Sequence, residues 1–177
     1  MEKEYLKGLI EEILYVWGEP LDISDLCQII EKASKKEIIE ALNDMSLQRE
    51  KNESGLLLKK FGNTYQLVSR NKHHKYFEKF VENTPKKLSS STLETLSIIA
   101  YKQPITRVEI DKIRGVNSQR SIDNLIEKGL VLENGRLDKI GRPIIYITSD
   151  LFLRYFDLED LSQLPKIENQ EEINNEN

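Results

Sequence analysis

Apolar positions along this chain follow helical spacing, then strand spacing, and the succession occurs twice. In the clearer second half, Leu88 to Thr148, Leu93, Leu96, Ile99 and Ala100 fall on one helical face. Ser91 and Glu94 fit a capping box at the start of that helix, and Gln103-Pro104-Ile105 ends it, because Pro lacks the amide and biases Gln103 away from the α region. Thr106 and Glu109 form a second capping box, opening a short helix with Val108, Ile110 and Ile113 that Gly115 stops. Asn117 is the candidate cap of a third helix carrying Ile122, Leu125 and Ile126 and ending at Gly129. Leu130-Val131-Leu132 then has strand composition, Asn134-Gly135 is a tight-turn signal, and Ile144 to Thr148 should pair back. Three helices and a hairpin, in that order, predict a winged helix.

The first half repeats the order. Leu6, Leu9, Ile10, Ile13, Leu14 and Trp17 predict a broad-faced helix over Glu2 to Trp17, ended by Gly18-Glu19-Pro20. Asp22 can cap a second helix with Ile23, Leu26, Ile29 and Ile30, and Ser34 with Glu37 opens a third carrying Ile38, Ile39, Ala41, Leu42 and Met45. Gly55 to Phe61 and Thr64 to Val68 read as strands joined by Gly62-Asn63, a dipeptide suited to a primed turn. Glu19-Pro20-Leu21-Asp22 aligns with Gln103-Pro104-Ile105-Thr106 at an offset of 84 residues, Leu26 and Ile29 then fall on Ile110 and Ile113, and a one-residue slip aligns Ser34, Ile39 and Leu42 with Asn117, Ile122 and Leu125. The fold class expected is mainly α with small β-hairpins, built as two tandem winged-helix domains. Residues 1–70 form the first, 71–87 a basic connecting helix, 88–165 the second with a packed tail, and 166–177 a disordered acidic tail.

Composition narrows the function. The formal net charge is −4 over 177 residues. Up to Arg70 there are 10 basic and 13 acidic residues, and from Leu88 to Pro165 there are 10 and 11. A DNA-reading winged helix draws its affinity from cations on the third helix and wing. Here Lys35 and Lys36 are offset by Glu37, Glu40 and Asp44, and Arg120 and Lys128 by Asp123 and Glu127. The basic stretch Arg70 to Lys87 interleaves five Lys with Tyr76, Phe77 and Phe80. It reads as a solvated linker helix docking its apolar face, with a nucleic-acid strip as the alternative. Cys27 is alone, so no disulfide framework or Cys metal site is expected, and adjacent His73 and His74 diverge by about 100° on a helix. No apolar run reaches the ~18 residues of a membrane span, and the start Met1-Glu2-Lys3-Glu4 is not that of a signal peptide, so a cytosolic chain is expected. With no phosphate loop and no recognisable nucleophile context, neither catalysis nor a cofactor is proposed.

Leu93-Glu94-Thr95-Leu96, Ile98-Ile99-Ala100-Tyr101, Gln103-Pro104-Ile105-Thr106-Arg107, Glu109-Ile110, Ile113-Arg114-Gly115-Val116, Gly141-Arg142-Pro143 and the tail pattern Phe152-Leu153, Phe156, Leu158, Leu161, Leu164-Pro165 together resemble the segregation and condensation protein B family. The first half resembles it more loosely, through the opening helix and Gly18-Glu19-Pro20-Leu21. Asp157 and Ile147 depart from the pattern, each standing where a Gly is common. The resemblance implies a cytoplasmic, nucleoid-associated accessory subunit of the SMC–kleisin complex. Such a subunit dimerises through its first winged helix, binds the central segment of the kleisin (segregation and condensation protein A) with both domains and modulates the SMC ATPase. The candidate kleisin-binding residues are Tyr101, Gln103, Pro104, Ile105, Arg107, Arg114, Arg142 and Tyr146. Arg107 and Arg114 are also free to pair with Glu94, Glu109 or Asp111, and Gly141-Arg142-Pro143 to serve only as the wing's return turn. The dimer contact is expected at Leu6, Leu9, Ile13 and Trp17. The competing expectation is a dimeric winged-helix transcription regulator that binds DNA directly.

Overall fold

The computed structural model describes residues 1–52, 54–78 and 87–166. Two units of the same topology follow one another. In the first, α1 (Lys3–Trp17) ends where Gly18 adopts the left-handed conformation, φ 74°, and returns its amide to the Leu14 carbonyl at 3.1 Å. A non-glycine residue there would carry the left-handed penalty. After β1 (Leu21–Asp22), the Asp22 carboxylate accepts from the Ser24 amide at 2.7 Å and starts α2 (Ile23–Ile29). Ser34 and Glu37 close a capping box on α3 (Lys35–Lys51), the Glu37 carboxylate accepting from the Ser34 amide at 2.8 Å. The hairpin β2 (Leu56–Phe61) and β3 (Thr64–Ser69) turns at Gly62-Asn63 with positive φ at Gly62 alone, the sign pattern of a II′ turn. β1 joins the free side of β3, so the sheet order is β1-β3-β2.

α4 (His74–Phe77) is a single turn whose Tyr76 and Phe77 are exposed, so the docked apolar face expected there is not formed by these two residues. Phe80, Val81 and Pro85, and the acidic tail from Glu168, lie outside the described residues. The second unit then runs α5 (Ser90–Lys102), β4 (Ile105–Thr106), α6 (Arg107–Arg114), α7 (Gln119–Glu127), β5 (Val131–Arg136) and β6 (Ile144–Thr148), with sheet order β4-β6-β5. The capping box of Thr106 and Glu109 opens α6 as expected, and Gly115, φ 71°, ends it. Finally α8 (Asp150–Phe156) lies against the second unit, capped by the Ser149 hydroxyl, which accepts from the Phe152 amide at 3.2 Å.

The repeat is closer than the sequence alignment suggested. β1 and β4 each pair with the last strand of their sheet through an aliphatic residue facing a tyrosine, Leu21 with Tyr65 and Ile105 with Tyr146. Helix α7 starts from Ser118, which stands 84 residues after Ser34. The offset therefore holds into the third helix, and the one-residue slip is unnecessary: Ile38 and Ile122, both fully buried, are the true equivalents. Asn117 is not the cap itself, although its side chain accepts from the Gln119 amide at 2.9 Å.

Two other expectations are corrected. Helix α5 starts at Ser89, whose hydroxyl accepts from the Thr92 amide at 3.2 Å, while Glu94 turns away to Arg114 instead of closing a box with Ser91. Asn134-Gly135 is not the wing's turn. Glu133 pairs with Tyr146 and Arg136 with Ile144, so the dipeptide forms a bulge within β5, and the loop between the strands is 137–143. Gly135, at φ 85°, supplies the positive φ that such a bulge accommodates.

The two hydrophobic clusters follow the units except at Phe61 and the partly buried Val68, both from the first unit's hairpin. The first gathers Leu6, Ile10, Leu14, Leu26, Ile38, Leu42, Leu58 and Tyr65 among others. The second gathers Leu96, Ile99, Ile110, Ile122, Leu125, Tyr146 and Phe152, and also Phe61 from the first unit's hairpin. Around Phe61 the Gly62 amide donates to the Glu159 carbonyl at 2.9 Å, Lys59 pairs with Asp157, and Glu19 with Arg154 at 3.1 Å.

Within the first unit, Lys7 lies under α3 with its ammonium 2.6 Å from Asp44, which also receives Lys3 at 2.9 Å. Hydrogen bonds from Lys7 and then Lys3 hold the Asp44 carboxyl at about 2, below its ordinary 3.8. A depressed folded-state pKa gives stability that is present above the unfolded pKa and lost as pH falls through the folded one. The window is thus from just below pH 4 down to about pH 2. Urea-unfolding midpoints across this window should fall less steeply for Asp44→Asn than for the natural chain, with the variant already weaker at pH 7. Parallel slopes would remove Asp44 from the acid response.

Candidate partner-binding surfaces

The turn between α5 and α6 is held from inside. Gln103 ends α5, its amide donating to the Ile99 carbonyl at 2.9 Å. Its side chain then clamps the end of β6: Oε1 accepts from the Thr148 amide at 2.7 Å, and Nε2 donates to Thr148 Oγ1 at 2.9 Å and to the Ala100 carbonyl at 3.2 Å. Both ends of the Gln103 amide are therefore satisfied within the chain. Ile105 and Tyr146, each 4% exposed, sit in the core on the β4–β6 ladder, and a partner cannot reach them in this conformation. Burial also pushes the Tyr146 hydroxyl above its ordinary pKa. Both leave the set of candidate contact residues for that reason.

The two arginines divide. Arg114 is nearly enclosed, donating to Ser91 at 2.9 Å, Glu94 at 3.0 Å and Ser118 at 3.3 Å, so it ties α5, α6 and the start of α7 together. Arg107 is half-exposed and leans on Gln119 at 2.9 Å, and Gln119 in turn donates to Asp123 at 2.8 Å. Pro104 and Arg142 remain on the surface. Arg142 has φ 39° beside Gly141 at φ 83° in the wing loop, its carbonyl accepting from Arg136 at 3.1 Å. Next to them Ile140 is fully exposed.

Tyr101 presents a partly exposed ring at the end of α5, its hydroxyl donating to the Pro165 carbonyl at 2.7 Å. Between α5 and the segment after α8 runs an open groove, with Tyr101 and Lys102 on one wall and Leu161, Leu164, Pro165 and Lys166 on the other. The tail residues are those that the site reading missed. Their signal was present in the excess of apolar positions after Phe156. Asp157, which the resemblance marked as standing in place of a Gly, adopts φ 58°, a left-handed conformation that Gly reaches without strain and Asp tolerates better than most residues.

On the first unit, Leu6 is 3% exposed and belongs to the core, so it is not available to a second copy. Leu9 and Ile13 are half-buried, whereas Trp17 is 58% and Val16 82% exposed, and these four with Glu12 line a shallow depression on the outer face of α1. Tyr5 and Tyr15 are exposed on the same helix. Among the described residues no cluster of His, Cys, Asp and Glu could hold a metal ion, and no helix is long and apolar enough to cross a membrane.

Comparison with known proteins places the chain. A protein of Clostridium perfringens (strain SM101 / Type A) named segregation and condensation protein B is 47% identical over 176 residues, covering 98% of this chain and 89% of that one. The protein of the same name from Clostridioides difficile (strain 630) is 45% identical over 175 residues, covering 98% of each. Among solved structures, that of ScpB from Mycobacterium tuberculosis is 27% identical, covering 88% of this chain and 97% of that chain with a TM-score of 0.43. The family profile of the segregation and condensation complex subunit ScpB matches residues 8–167, and the chain belongs to that family.

Proposed function

We propose that this chain is a non-catalytic adaptor subunit of an SMC–kleisin complex acting in chromosome condensation and segregation. It pairs with a second copy through α1, binds the central segment of the kleisin and through it bears on the SMC ATPase. The observation that carries this reading is the outer face of α1, where Trp17 and Val16 stand in solvent beside Leu9 and Ile13. Apolar residues grouped in this way on a small chain mark an interaction surface. Direct DNA reading is disfavoured by the third helix of the second unit, where Gln119 and Asp123 bond to one another and acids match the bases.

Size-exclusion chromatography with light scattering tests the reading, on the pure chain and on its mixture with the kleisin of the same organism. The expected result is a dimer of about 41 kDa, twice the chain's 20.6 kDa, that shifts to a discrete larger complex. A dimer that ignores the kleisin but binds a specific DNA duplex at nanomolar concentration would establish the regulator instead.

A further inference from the structure

We propose that the cleft between the β2–β3 hairpin and α8, continued by residues 70–77, binds single-stranded nucleic acid through its phosphates and bases, without regard to sequence. This inference goes beyond the adaptor reading and does not depend on it. The surface is also separate from the third helices, which remain poor readers of duplex DNA.

The cations of the cleft gather at one end. Lys59, Arg70 and Lys72 come from the hairpin and the residues after it, Arg154 and Tyr155 from α8, and together they help line a volume of about 770 Å³, within the range of ligand sites. Lys59 pairs with Asp157 and Arg154 with Glu19 at 3.1 Å, which neutralises those two. Arg70 instead donates to neutral carbonyls, those of Ser54 at 2.8 Å and Arg49 at 3.0 Å, and keeps its charge. The other acids of the junction, Asp150 and Glu159, stand at the turn beside Gly62. A six-residue strand separates them from Arg70, roughly 20 Å against a screening length of ~8 Å at physiological salt. Over residues 70–87 the sequence has Arg70 and five Lys against Glu78 and Glu82, and residues 49–53 add two bases and two acids. With residues 53 and 79–86 counted in, although they lie outside the described set, the local sign still opposes the chain's net charge of −4.

Attraction for phosphate does not by itself separate one strand from two, and the exposed rings do. Tyr76 is 66%, Tyr155 41% and Phe77 40% exposed, and the Lys75 ammonium lies 5.2 Å over the Tyr76 ring. Helix α4 is a single turn with no buried residue, so its rings contribute nothing to either core. A duplex keeps its bases in the stack, out of reach of such rings. An unpaired strand can lay a base on each of them while its phosphates run past Arg70, Lys72 and Lys75. Every base has a π-face, so the contact is indifferent to sequence. The acids left to compete for the cleft are Glu168, Glu171, Glu172 and Glu176 at the end of the chain, outside the described residues.

The test is the fluorescence anisotropy of a labelled oligothymidylate of about 20 nucleotides, titrated with the full-length chain at about 50 and 200 mM salt. The natural chain should bind it roughly tenfold or more tightly than a duplex of the same length, and less tightly at the higher salt. Lys72→Gln with Lys75→Gln should lower the slope of log affinity against log salt by about 1.4, two single-strand phosphate contacts at ~0.7 each. Tyr76→Ala with Tyr155→Ala should weaken binding roughly fivefold or more for each ring lost and leave the slope unchanged. All four positions are exposed, so both variants should keep the natural melting temperature. Equal binding by the natural chain and both variants would overturn the proposal, as would a duplex bound as tightly as the single strand. Binding confined to a full chain carrying Glu168→Gln, Glu171→Gln, Glu172→Gln and Glu176→Gln would assign the cleft to the chain's own acidic end and overturn it too. Absence of binding by every chain would do the same. None of these outcomes touches the adaptor reading, which the mass of the kleisin mixture decides.

Discussion

Replacing Phe61 by Ala is expected to uncouple the two units. Phe61 ends β2 in the first unit, but its side chain, 3% exposed, lies in the hydrophobic cluster of the second. The opposite face of the same hairpin is secured separately by Leu58 and Tyr65 in the first cluster, so the hairpin itself should survive. Among the described residues, what remains across the junction includes the Gly62 amide on Glu159, the exposed pairs Lys59–Asp157 and Glu19–Arg154, and the partly buried Val68. Exposed ion pairs contribute about 0–1 kcal/mol each, whereas truncating a buried Phe costs roughly 3–5 kcal/mol. The aromatic anchor therefore dominates the junction. In urea, the natural chain should unfold in one transition, and Phe61→Ala in two, with the second unit's transition moved to lower denaturant. Differential labelling of Trp17 fluorescence against far-ultraviolet ellipticity separates them, because the single Trp lies in the first unit. A single transition at an unchanged midpoint would show that Phe61 does not couple the units. Gly62→Ala should act in the same direction, since its φ of 61° suits glycine and an added methyl would fall against the Asp150 carboxylate.

The local chemistry of the chain was readable in advance where one residue decides the geometry. Asp22, Ser34 with Glu37 and Thr106 with Glu109 cap helices, and Gly18 and Gly115 end them, because caps and left-handed stops involve neighbours within four residues. Ambiguity entered where several local choices were equivalent. Ser89, Ser90 and Ser91 can each begin α5, and the frame was settled by Arg114, 20 residues beyond Glu94, which takes the carboxylate that Ser91 would have needed. Gly135 can serve a turn or a bulge, and only the pairing of Arg136 with Ile144 distinguishes them. The candidate site suffered most, since exposure is a tertiary property. Ile105 and Tyr146 stand in a motif that reads as functional, yet a cross-strand pairing 41 residues apart buries both. Likewise α1 is apolar on two faces, and packing against α3 chose Leu6, Ile10 and Leu14 for the interior. Val16, which the sequence reading passed over, was left outside.

That choice makes Val16 the most informative position on the proposed dimer face. Val16→Glu is expected to convert the dimer into a monomer of 20.6 kDa at micromolar concentration. At 82% exposure the residue makes no contribution to the first core, so the substitution should leave the melting of the unit unchanged. In a two-fold contact each substitution enters twice, once from each copy. Two carboxylates would then be brought into an apolar patch formed with Leu9, Ile13 and Trp17, and uncompensated desolvation of each costs several kcal/mol. Trp17→Ala should weaken the dimer by about 2 kcal/mol or more, as aromatic residues near the centre of an interface commonly do. Leu6→Glu is the contrasting control: it should unfold the unit rather than dissociate it, because Leu6 is 3% exposed. If Val16→Glu remains dimeric with natural affinity, α1 is not the contact. If it becomes monomeric, its behaviour toward the kleisin carries the next step. Retained affinity would confine kleisin capture to the surfaces of one copy. Loss of both would require that the kleisin be held across two copies, so that dimerisation itself assembles the binding surface.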